Sequence, residues 1–293
     1  MRIAIASGKG GTGKTTVSTN LALAAAQRRV QVTYVDCDVE APNGHLFLKP
    51  QITASRTIGR LHPEVDEAMC THCGLCGEFC QYSAIVCIGE KVLVYPDLCH
   101  ACGGCTLVCP ADAIMEVMHE TGKVESGMAG EIAFLQGRLN IGEAMSTPLI
   151  RQLKEQAGHS DLLIFDCPPG ASCPVLESVR GADVVLLVTE PTPFGLNDLG
   201  LAVEMLQALA VPLAVVINRA GSGDEETYAF CQREGIPIWA EIPDDRRVAQ
   251  AYSHGEMARD SVPEFHAAME QIMDHLSDFS QKEQLAERGV RRS

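Results

Sequence analysis

The residues with the clearest chemical meaning form a glycine-rich stretch near the start of the chain, SGKGGTGKTT, from Ser7 to Thr16. Two glycines, a lysine and a threonine have the spacing of a phosphate-binding loop, Gly8-x4-Gly13-Lys14-Thr15. Glycines allow consecutive backbone N–H groups to turn toward phosphate oxygens, and a following helix adds its positive N-terminal end. In such a loop the lysine reaches the β- and γ-phosphates and the threonine hydroxyl binds Mg²⁺. The stretch therefore predicts a site for a nucleoside triphosphate.

A second group of residues suited to metal chemistry lies between Cys70 and Cys109, where nine of the thirteen cysteines occur. They form two runs offset by 29 residues, Cys70-x2-Cys73-x2-Cys76-x3-Cys80 and Cys99-x2-Cys102-x2-Cys105-x3-Cys109-Pro110. Ala84-Ile85 and Ala113-Ile114 keep the same offset, so the segment is an internal duplication. Because the cytosol keeps thiols reduced, this cysteine content in a chain without an export signal favours metal binding over disulfides.

The double run resembles the bacterial two-cluster ferredoxins, in which the fourth cysteine of each run crosses to the other cluster. The resemblance implies Cys70, Cys73, Cys76 and Cys109 as ligands of [4Fe-4S] cluster 1, and Cys99, Cys102, Cys105 and Cys80 as ligands of cluster 2. Gln81 stands where proline commonly follows the fourth cysteine, which removes no ligand. Structural zinc explains a single CxxC pair but does not require eight cysteines in a duplicated pattern. Cys87 has Glu116 at its matching position, and we expect Cys87 to be a small buried side chain in a hairpin over residues 85–94.

Acidic residues follow two of the apolar runs. Asp36 and Asp38 follow the run that ends at residue 35, and Asp166 begins the sequence DCPPG after the run 162–165. Carboxylates at the carboxyl ends of strands beside a phosphate loop lie where Mg²⁺ and the attacking water are held. Acidic residues are also common in turns, so position alone does not decide the role of Asp36 and Asp38. Cys167 and Cys173, in and just after DCPPG, are expected to be packing residues.

The apolar runs predict the elements that position these residues. We expect strands at residues 3–6, 30–35, 162–165, 183–189, 212–217 and 236–242, and helices at residues 17–27, 149–156, 197–210 and 262–279. Their alternation predicts an α/β fold with a doubly wound, mainly parallel sheet. The cysteine-rich segment divides the chain into a discontinuous nucleotide domain, residues 1–59 and 119–293, and an inserted α+β ferredoxin-like domain, residues 60–118.

A second lysine, Lys9, precedes the first by five residues in KGGTGKT, which resembles the deviant phosphate loop of the MinD/ParA/Mrp ATPases and the nitrogenase iron protein. Asp36-Cys37-Asp38 and DCPPG resemble the two switches of that family. The resemblance implies an ATPase that dimerises around two ATP molecules, with Lys9 crossing to the nucleotide of the partner. It implies catalytic roles for Lys9, Lys14 and Asp38, with Asp38 orienting water and Asp36 being more structural.

The same resemblance implies which residues hold the nucleotide and its metal. Those expected at ATP are Gly8, Lys9, Gly10, Gly11, Thr12, Gly13, Lys14, Thr15, Thr16, Gly170, Asn218 and Arg219. Asn218 and Arg219 match the adenine contact, Pro243-Asp244 closes the base pocket, and Gly170 senses the γ-phosphate through its backbone. Those expected at Mg²⁺, directly or through water, are Thr15, Asp38 and Asp166.

Charge and composition exclude several classes of function. The chain of 293 residues has a formal charge of −15, which argues against binding of a nucleic acid backbone. It begins with a strand rather than a signal peptide, it has no run of 18 apolar residues, and its tail, 280–293, is polar. We therefore expect a cytoplasmic protein without stable membrane anchoring.

Residues 60–118 hold eight acidic and two basic side chains. This surplus of negative charge favours docking to a basic redox partner, and an acidic surface that is simply solvated is the alternative.

Together these features predict a slow, partner-stimulated ATPase that couples nucleotide state to electron transfer through two [4Fe-4S] clusters, as a homodimer or as a heterodimer with a related chain. The insert lies between the two switches, where nucleotide-driven motion can reach it directly. Two alternatives remain open. One is an iron–sulfur cluster carrier, as in the Mrp branch, although eight ligands are more typical of permanent clusters. The other is a MinD-like positioning or cell-division regulator whose clusters sense oxidation.

Overall fold

Most of the strands follow runs rich in Val, Ile and Leu, whose branched side chains suit a pleated, buried surface. The computed structural model describes the backbone of residues 1–290 and the side-chain surroundings of residues 1–282. The strands in this range are β1 (Arg2–Ala6), β2 (Val32–Asp36), β3 (Gln51–Val65), β4 (Ile85–Ile88), β5 (Lys91–Val94), β6 (Ile114–Ala129), β7 (Ile132–Leu139), β8 (Leu162–Asp166), β9 (Val184–Thr189), β10 (Leu213–Ala220) and β11 (Ile238–Pro243).

The helices lie mostly in the connections between these strands. They are α1 (Lys14–Gln27), α2 (Gly44–Leu48), α3 (Leu75–Phe79), α4 (Gly104–Leu107), α5 (Thr147–Glu155), α6 (Cys173–Val179), α7 (Pro193–Ala208), α8 (Glu226–Glu234), α9 (Arg246–His254), α10 (Ala258–Ser261) and α11 (Pro263–Val290). A short 3₁₀ turn spans Pro96–Leu98. Each of the strands and helices predicted from the apolar runs is present, and apart from the C-terminal helix their ends are moved by a few residues.

Nine strands form one sheet in the order β11-β10-β9-β1-β8-β2-β7-β6-β3. Strands β11 to β7 in this order pair in parallel, whereas β6 pairs antiparallel with both β7 and β3. The doubly wound, mainly parallel sheet is thus confirmed. The sequence did not predict β3, β6 and β7, which add an edge to it.

Alternate residues of β1 face opposite sides of the sheet, as the period of two in a strand requires. Ile3 and Ile5 belong to a core shared with α1 and α11, and Ala4 and Ala6 belong to a second core shared with α5, α6 and α7. Helices therefore cover both faces of the sheet. This arrangement fixes the carboxyl end of β1, from which the phosphate loop emerges.

The cysteine-rich segment is connected to the sheet by a long two-stranded ribbon. Strands β3 and β6 pair from Gln51 opposite Met128 to Val65 opposite Ile114. Residues 66–113 connect the far ends of these strands and contain α3, the β4–β5 hairpin and α4. Both predicted domain boundaries, 59/60 and 118/119, lie inside the ribbon, so the ribbon joins the two predicted domains without an intervening linker.

The C-terminal helix is longer than the sequence predicts. α11 runs from Pro263 to Val290, so the segment that begins at Ser280, predicted as a polar tail, is helical as far as residue 290. The apolar residues of this tail are Leu285, Ala286 and Val290, and the expectation that the tail does not anchor to a membrane depends on them. Their side chains lie outside the residues whose surroundings are described. Among the described residues, none of the helices has the length and apolar character needed to cross a bilayer.

Candidate functional site

The phosphate loop connects the end of β1 to the start of α1 and is closely packed. Gly11 and Gly13 have positive φ angles of 80° and 96°, which a residue with a Cβ rarely adopts. A Cβ on Gly13 would also lie 2.5 Å from Nδ2 of Asn218, and one on Gly8 would collide with the carbonyl of Asp198. Because α1 begins at Lys14, its N-terminal N–H groups face the end of the loop. Local backbone geometry thus forms a cradle suited to an anion.

A cavity of about 600 Å³ opens beside this loop. Among the residues predicted at ATP and Mg²⁺, it is lined by Gly10, Gly11, Gly13, Lys14, Thr15, Thr16, Asp38, Asn218 and Arg219. Pro243 and Asp244, predicted at the base, also line it. The structure therefore brings together residues that are more than 200 positions apart in the sequence.

Four predicted nucleotide residues lie outside the lining of this cavity. Thr12 is buried behind the loop, where its carbonyl accepts a hydrogen bond of 2.8 Å from Nδ2 of Asn218. Gly170 donates its N–H to the carbonyl of Ser7 at 3.0 Å, which links the second switch to the phosphate loop. Gly8 packs against α7. Lys9, the fourth, is held by an ion pair within the chain.

Lys9 forms an ion pair with Glu190, whose Oε2 lies 3.4 Å from the Lys9 ammonium. Oε1 of the same carboxylate lies 2.9 Å from Nη1 of Arg219. Glu190 is buried, and it directly follows β9. Its carboxylate binds two of the residues predicted at ATP, Lys9 and Arg219. In this single chain Lys9 is therefore bound within its own subunit.

The three acidic residues predicted at the switches have different environments. Asp36 accepts hydrogen bonds from the N–H groups of Asp38, Asn43 and Gly44, so it fixes the first switch loop. Burial, followed by the charge of Asp166, raises the pKa of Asp36 well above its usual value. The same two causes raise the pKa of Asp38 to about 6. Mutual repulsion of neighbouring carboxylates is typical of a site that binds a cation.

Asp166 and Thr12 provide a test of whether this site fits a nucleotide with Mg²⁺. Oδ2 of Asp166 accepts a hydrogen bond of 2.7 Å from the Tyr34 hydroxyl. Its buried Oδ1 and the buried Oγ1 of Thr12 have no hydrogen-bond partner among the described residues. Buried polar atoms without partners are uncommon, and carboxylate and hydroxyl oxygens suit the coordination or water shell of a hard cation. The residues present therefore fit the predicted group.

Several residues at this cavity were missed by the sequence analysis. Asn43, Ser222, Arg246, Tyr252 and Phe265 also line it. Tyr252 and Arg246 belong to α9, whose apolar residues are too few for the sequence to predict a helix there. Tyr252 packs on Phe47 of α2 with ring centroids 5.0 Å apart, which joins the base side of the cavity to the first switch loop.

The eight cysteines predicted as cluster ligands form two groups in residues 66–113. One small cavity is lined by Cys70, Cys73, Cys76 and Cys109, and another by Cys80, Cys99, Cys102 and Cys105. The fourth cysteine of each run thus lies with the first three of the other run, in the crossed pattern that the ferredoxin resemblance implies. We refer to these as the cluster-1 cavity and the cluster-2 cavity.

The backbone of this module repeats with the same offset as its cysteines. Left-handed conformations occur in three matched pairs, His72 with Ala101, Gly74 with Gly103, and Ser83 with Asp112. Such turns point backbone N–H groups inward, and the N–H groups of Ala101 and Ala113 lie 3.4 and 3.3 Å from the sulfurs of Cys99 and Cys109. Although burial opposes it, backbone N–H groups of residues 82–85 lower the pKa of Cys80. Converging thiols with N–H donors fit an iron–sulfur cluster.

The remaining cysteines are placed differently from one another. Cys37, Cys167 and Cys231 are buried, which for Cys167 agrees with the expected packing role. Cys173 is exposed at the start of α6, so its expected packing role is wrong. Cys87 lies in the predicted hairpin but is only half-buried, and its Sγ is 3.6 Å from Sγ of Cys76. It lines the cluster-1 cavity as a fifth thiol, because strand β4 packs over Gly77 of α3.

One buried ion pair connects the module to the rest of the sheet. Arg60 of β3 donates hydrogen bonds to the carbonyls of Cys99 and Pro96, and its Nη2 lies 2.9 Å from Oε1 of Glu143. The side chains of Arg60 and Glu143 are only 5% and 2% exposed. Glu143 also lies 3.4 Å from Nε2 of His119. Arg60 therefore ties the cluster-2 loop to the segment that follows β7.

The fold and the cradle together define a P-loop nucleotide-binding protein. Residues 3–258 match the CobQ/CobB/MinD/ParA nucleotide binding domain, and the chain belongs to this family. The resemblance to MinD/ParA-type ATPases is thereby confirmed for the nucleotide domain.

Similar proteins differ in what their names describe. An uncharacterized protein of Methanocaldococcus jannaschii is 32% identical over 283 residues, which cover 95% of this chain and 97% of that protein. The iron-sulfur cluster carrier protein of Pyrococcus abyssi is 26% identical over 273 residues, 87% of this chain and 77% of the relative. The septum site-determining protein MinD of Pyrococcus horikoshii, solved with Mg-ADP, has a TM-score of 0.58 and 20% identity, and the match covers 92% of this chain and 95% of that one. The last likeness shows the fold alone.

Proposed function

We propose that this chain is an ATPase whose nucleotide state controls two [4Fe-4S] clusters held by residues 66–113. In the proposed reaction Lys14 and the loop N–H groups stabilise the charge that develops on the transferred phosphoryl group, and Asp38 orients the attacking water. Thr15, Asp38 and Asp166 would hold Mg²⁺, which neutralises phosphate charge when bound. Hydrolysis is slow in the isolated chain and is stimulated by a partner protein.

The observation that carries the coupling is a continuous set of contacts from the first switch to cluster 2. Val39, next to Asp38, accepts a hydrogen bond of 2.9 Å from the N–H of Leu139 at the end of β7. Glu143 lies four residues further along the chain and holds Arg60. Arg60 in turn binds the carbonyl of Cys99, a proposed cluster-2 ligand. A shift of the switch loop on ATP binding therefore has a short route to one cluster, which passes through the exposed turn at residues 140–142 before it reaches the buried pair of Arg60 and Glu143.

The proposed active form is a dimer, with itself or with a related chain, in which Lys9 leaves Glu190 and reaches the nucleotide of the partner. ATP would then change the exposure or the potential of the clusters, and electrons would pass to an acceptor whose basic surface complements the acidic module. The surplus of acidic residues in residues 60–118 supports such docking.

The first experiment is anaerobic purification followed by iron and sulfide counting, EPR spectroscopy and an ATPase assay on the same sample. About eight irons per chain are expected from two [4Fe-4S] clusters. Midpoint potentials and the rate of electron transfer to an acceptor are then measured with and without ATP. Identical values in both states would contradict the coupling.

A variant pair tests whether Arg60 and Glu143 carry the coupling. Removing one partner of a buried ion pair costs about 3–5 kcal/mol, whereas replacing both by apolar residues is often neutral. The double substitution Arg60→Met with Glu143→Leu should therefore keep the iron content and the ATPase rate but reduce the effect of ATP on cluster 2. Arg56→Met, on the exposed part of the same strand, is the control. An undiminished ATP effect in the double variant would remove this route.

A second candidate function is that of an iron–sulfur cluster carrier. It is favoured by the relatives whose names describe carriers, of which the Pyrococcus abyssi protein is 26% identical. Transfer of cluster to an apo-protein, with depletion of the iron bound between Cys70 and Cys109, would support it. Retention of that iron by the chain while an acceptor is reduced would support electron transfer instead.

The third hypothesis, a positioning or cell-division regulator, has the likeness to MinD in its favour. A fluorescently tagged chain that forms a pole or midcell pattern, lost when the clusters are oxidised, would support it. A uniform signal under both conditions would count against it.

A further inference from the structure

The two cluster cavities are related by the duplication, yet they differ at one matched position. With the offset of 29 residues, Cys87 of β4 corresponds to Glu116 of β6. Cys87 lines the cluster-1 cavity, and Glu116 lines the cluster-2 cavity. Cys87 follows Ile85 by two positions, and Glu116 follows the matched residue Ile114 by two positions. Each side chain therefore lies on the same face of its strand as the buried isoleucine. A thiol therefore borders one cavity where a carboxylate borders the other.

Around cluster 1 the additional thiol is close to a proposed ligand. Sγ of Cys87 lies 3.6 Å from Sγ of Cys76, within reach of a hydrogen bond between sulfur atoms. No carboxylate is found among the described residues that line this cavity. A hydrogen bond from a neutral thiol to a ligand sulfur stabilises the additional negative charge of a reduced cluster. Cys87 should therefore favour reduction of cluster 1.

Around cluster 2 the carboxylate has the opposite effect. The Glu116 oxygens lie 3.5 and 3.8 Å from the position that a Cβ on Gly103 would occupy, in the turn between Cys102 and Cys105. Within the described residues no basic side chain forms an ion pair with Glu116, whereas Arg60, near Cys99, is paired with Glu143. A nearby negative charge disfavours the addition of an electron, although exposure to solvent weakens the effect. Glu116 should therefore oppose reduction of cluster 2.

We propose that Cys87 and Glu116 separate the reduction potentials of the two clusters, so that cluster 1 is reduced at the higher potential and cluster 2 at the lower. A single electron accepted from a low-potential donor then resides at cluster 1. Cluster 2, which Arg60 connects to the first switch, is the stronger reductant once both are reduced. This inference rests on the two clusters of the proposed function.

The test is a redox titration of the full-length chain, purified anaerobically, with a chemical reductant and EPR detection. Two separate reduction steps are expected. Glu116→Gln should raise the lower step and leave the upper one in place, and Cys87→Ala should lower the upper step only. Cys87→Ser, which keeps a donor, should move the upper step less than Cys87→Ala does. Glu90→Gln removes the same charge from the exposed hairpin turn and is the matched control.

The outcomes separate this inference from the function on which it rests. A wild-type chain with far fewer than about eight irons would contradict the proposed clusters themselves. A full iron content with a single unresolved reduction step would overturn only the separation of potentials. Shifts no larger than those of Glu90→Gln would likewise overturn it. Loss of iron in Cys87→Ala would also overturn it, because Cys87 would then be a ligand.

Discussion

The nucleotide site and the cluster module are stabilised in different ways. The phosphate loop lies between two large cores, one on each face of a nine-stranded sheet, and its shape depends on backbone packing. In residues 66–113 and the adjoining first residue of β6, the buried hydrophobic cluster consists of Cys76, Ile85 and Ile114. Three valines and four cysteines pack around it, namely Val65, Val92, Val94, Cys80, Cys87, Cys105 and Cys109. A segment with so small a core needs another source of stability. The comparison indicates that the first site is preformed, and it predicts that the second would depend on the clusters that we propose for it.

Removal of iron is the most direct test of this difference, and it has the largest expected effect. Metal binding to a segment with so small a core supplies much of its folding free energy. The iron-free chain should lose protection from proteolysis and hydrogen exchange across residues 66–113, while the sheet stays protected and ADP affinity is unchanged. Equal protection of residues 66–113 with and without iron would show that the module folds independently of its clusters.

The reverse test removes the Lys14 ammonium group, which supplies positive charge to the phosphate loop. Lys14 is buried at the start of α1, where it faces the cavity. Lys14→Ala should lower the rate of ATP hydrolysis by about 10²–10³-fold, the usual cost of losing one group that stabilises the transition state. Its iron content should equal that of the wild type. Lys282→Ala, an exposed lysine of α11, is the control, and a fall in iron content in Lys14→Ala alone would break the separation of the two sites.

The two regions also differ in how far sequence predicted them. The phosphate loop and the two cysteine runs are short motifs that can be read from spacing, whereas the crossed assignment of the fourth cysteines came from the ferredoxin resemblance and agrees with the cysteines that line each cavity. Strand β3 was missed because its first seven residues are exposed and lack an apolar pattern, and it is stabilised by pairing with β6, whose paired residues lie 49 to 77 positions away in the sequence. The contact between Arg60 and Glu143 likewise spans 83 residues. Such long-range pairs leave no local signal.

The acidic residues of the first switch offer a smaller and pH-dependent test. Burial and the charge of Asp166 raise the pKa of Asp38 from 3.8 to about 6. Between these values the folded chain holds a proton that the unfolded chain has released, so stability falls as the pH rises through this window. Asp38→Asn removes the cost of holding an ionised carboxylate at this partly buried position near Asp166. It should therefore raise the free energy of unfolding by about 1–2 kcal/mol at pH 7.5, after allowance for solvent screening.

The measurement is anaerobic thermal unfolding without Mg²⁺ or nucleotide at pH 5 and pH 7.5. The stabilisation should be smaller at pH 5, where the folded wild-type chain keeps most of the proton. Asp278→Asn, which changes an exposed residue of α11, controls for the loss of one negative charge. An equal gain at both pH values, or a loss at pH 7.5, would show that Asp38 is not held as an unfavourable charge.

The smallest expected effect concerns the ion pair between Lys9 and Glu190. This pair is present in the single chain and would break when the proposed dimer forms. The Lys9 side chain is 32% exposed, and pairs with an exposed partner contribute about 0.2–1 kcal/mol. Glu190→Gln should free Lys9 and strengthen ATP-dependent dimerisation by no more than about fivefold for each ion pair released, which is about 30-fold in a homodimer that releases two. Analytical ultracentrifugation with ATP and with ADP measures this change, and Glu204→Gln on α7 is the control. Weaker dimerisation in Glu190→Gln would mean that Glu190 orients Lys9 for the partner rather than restraining it.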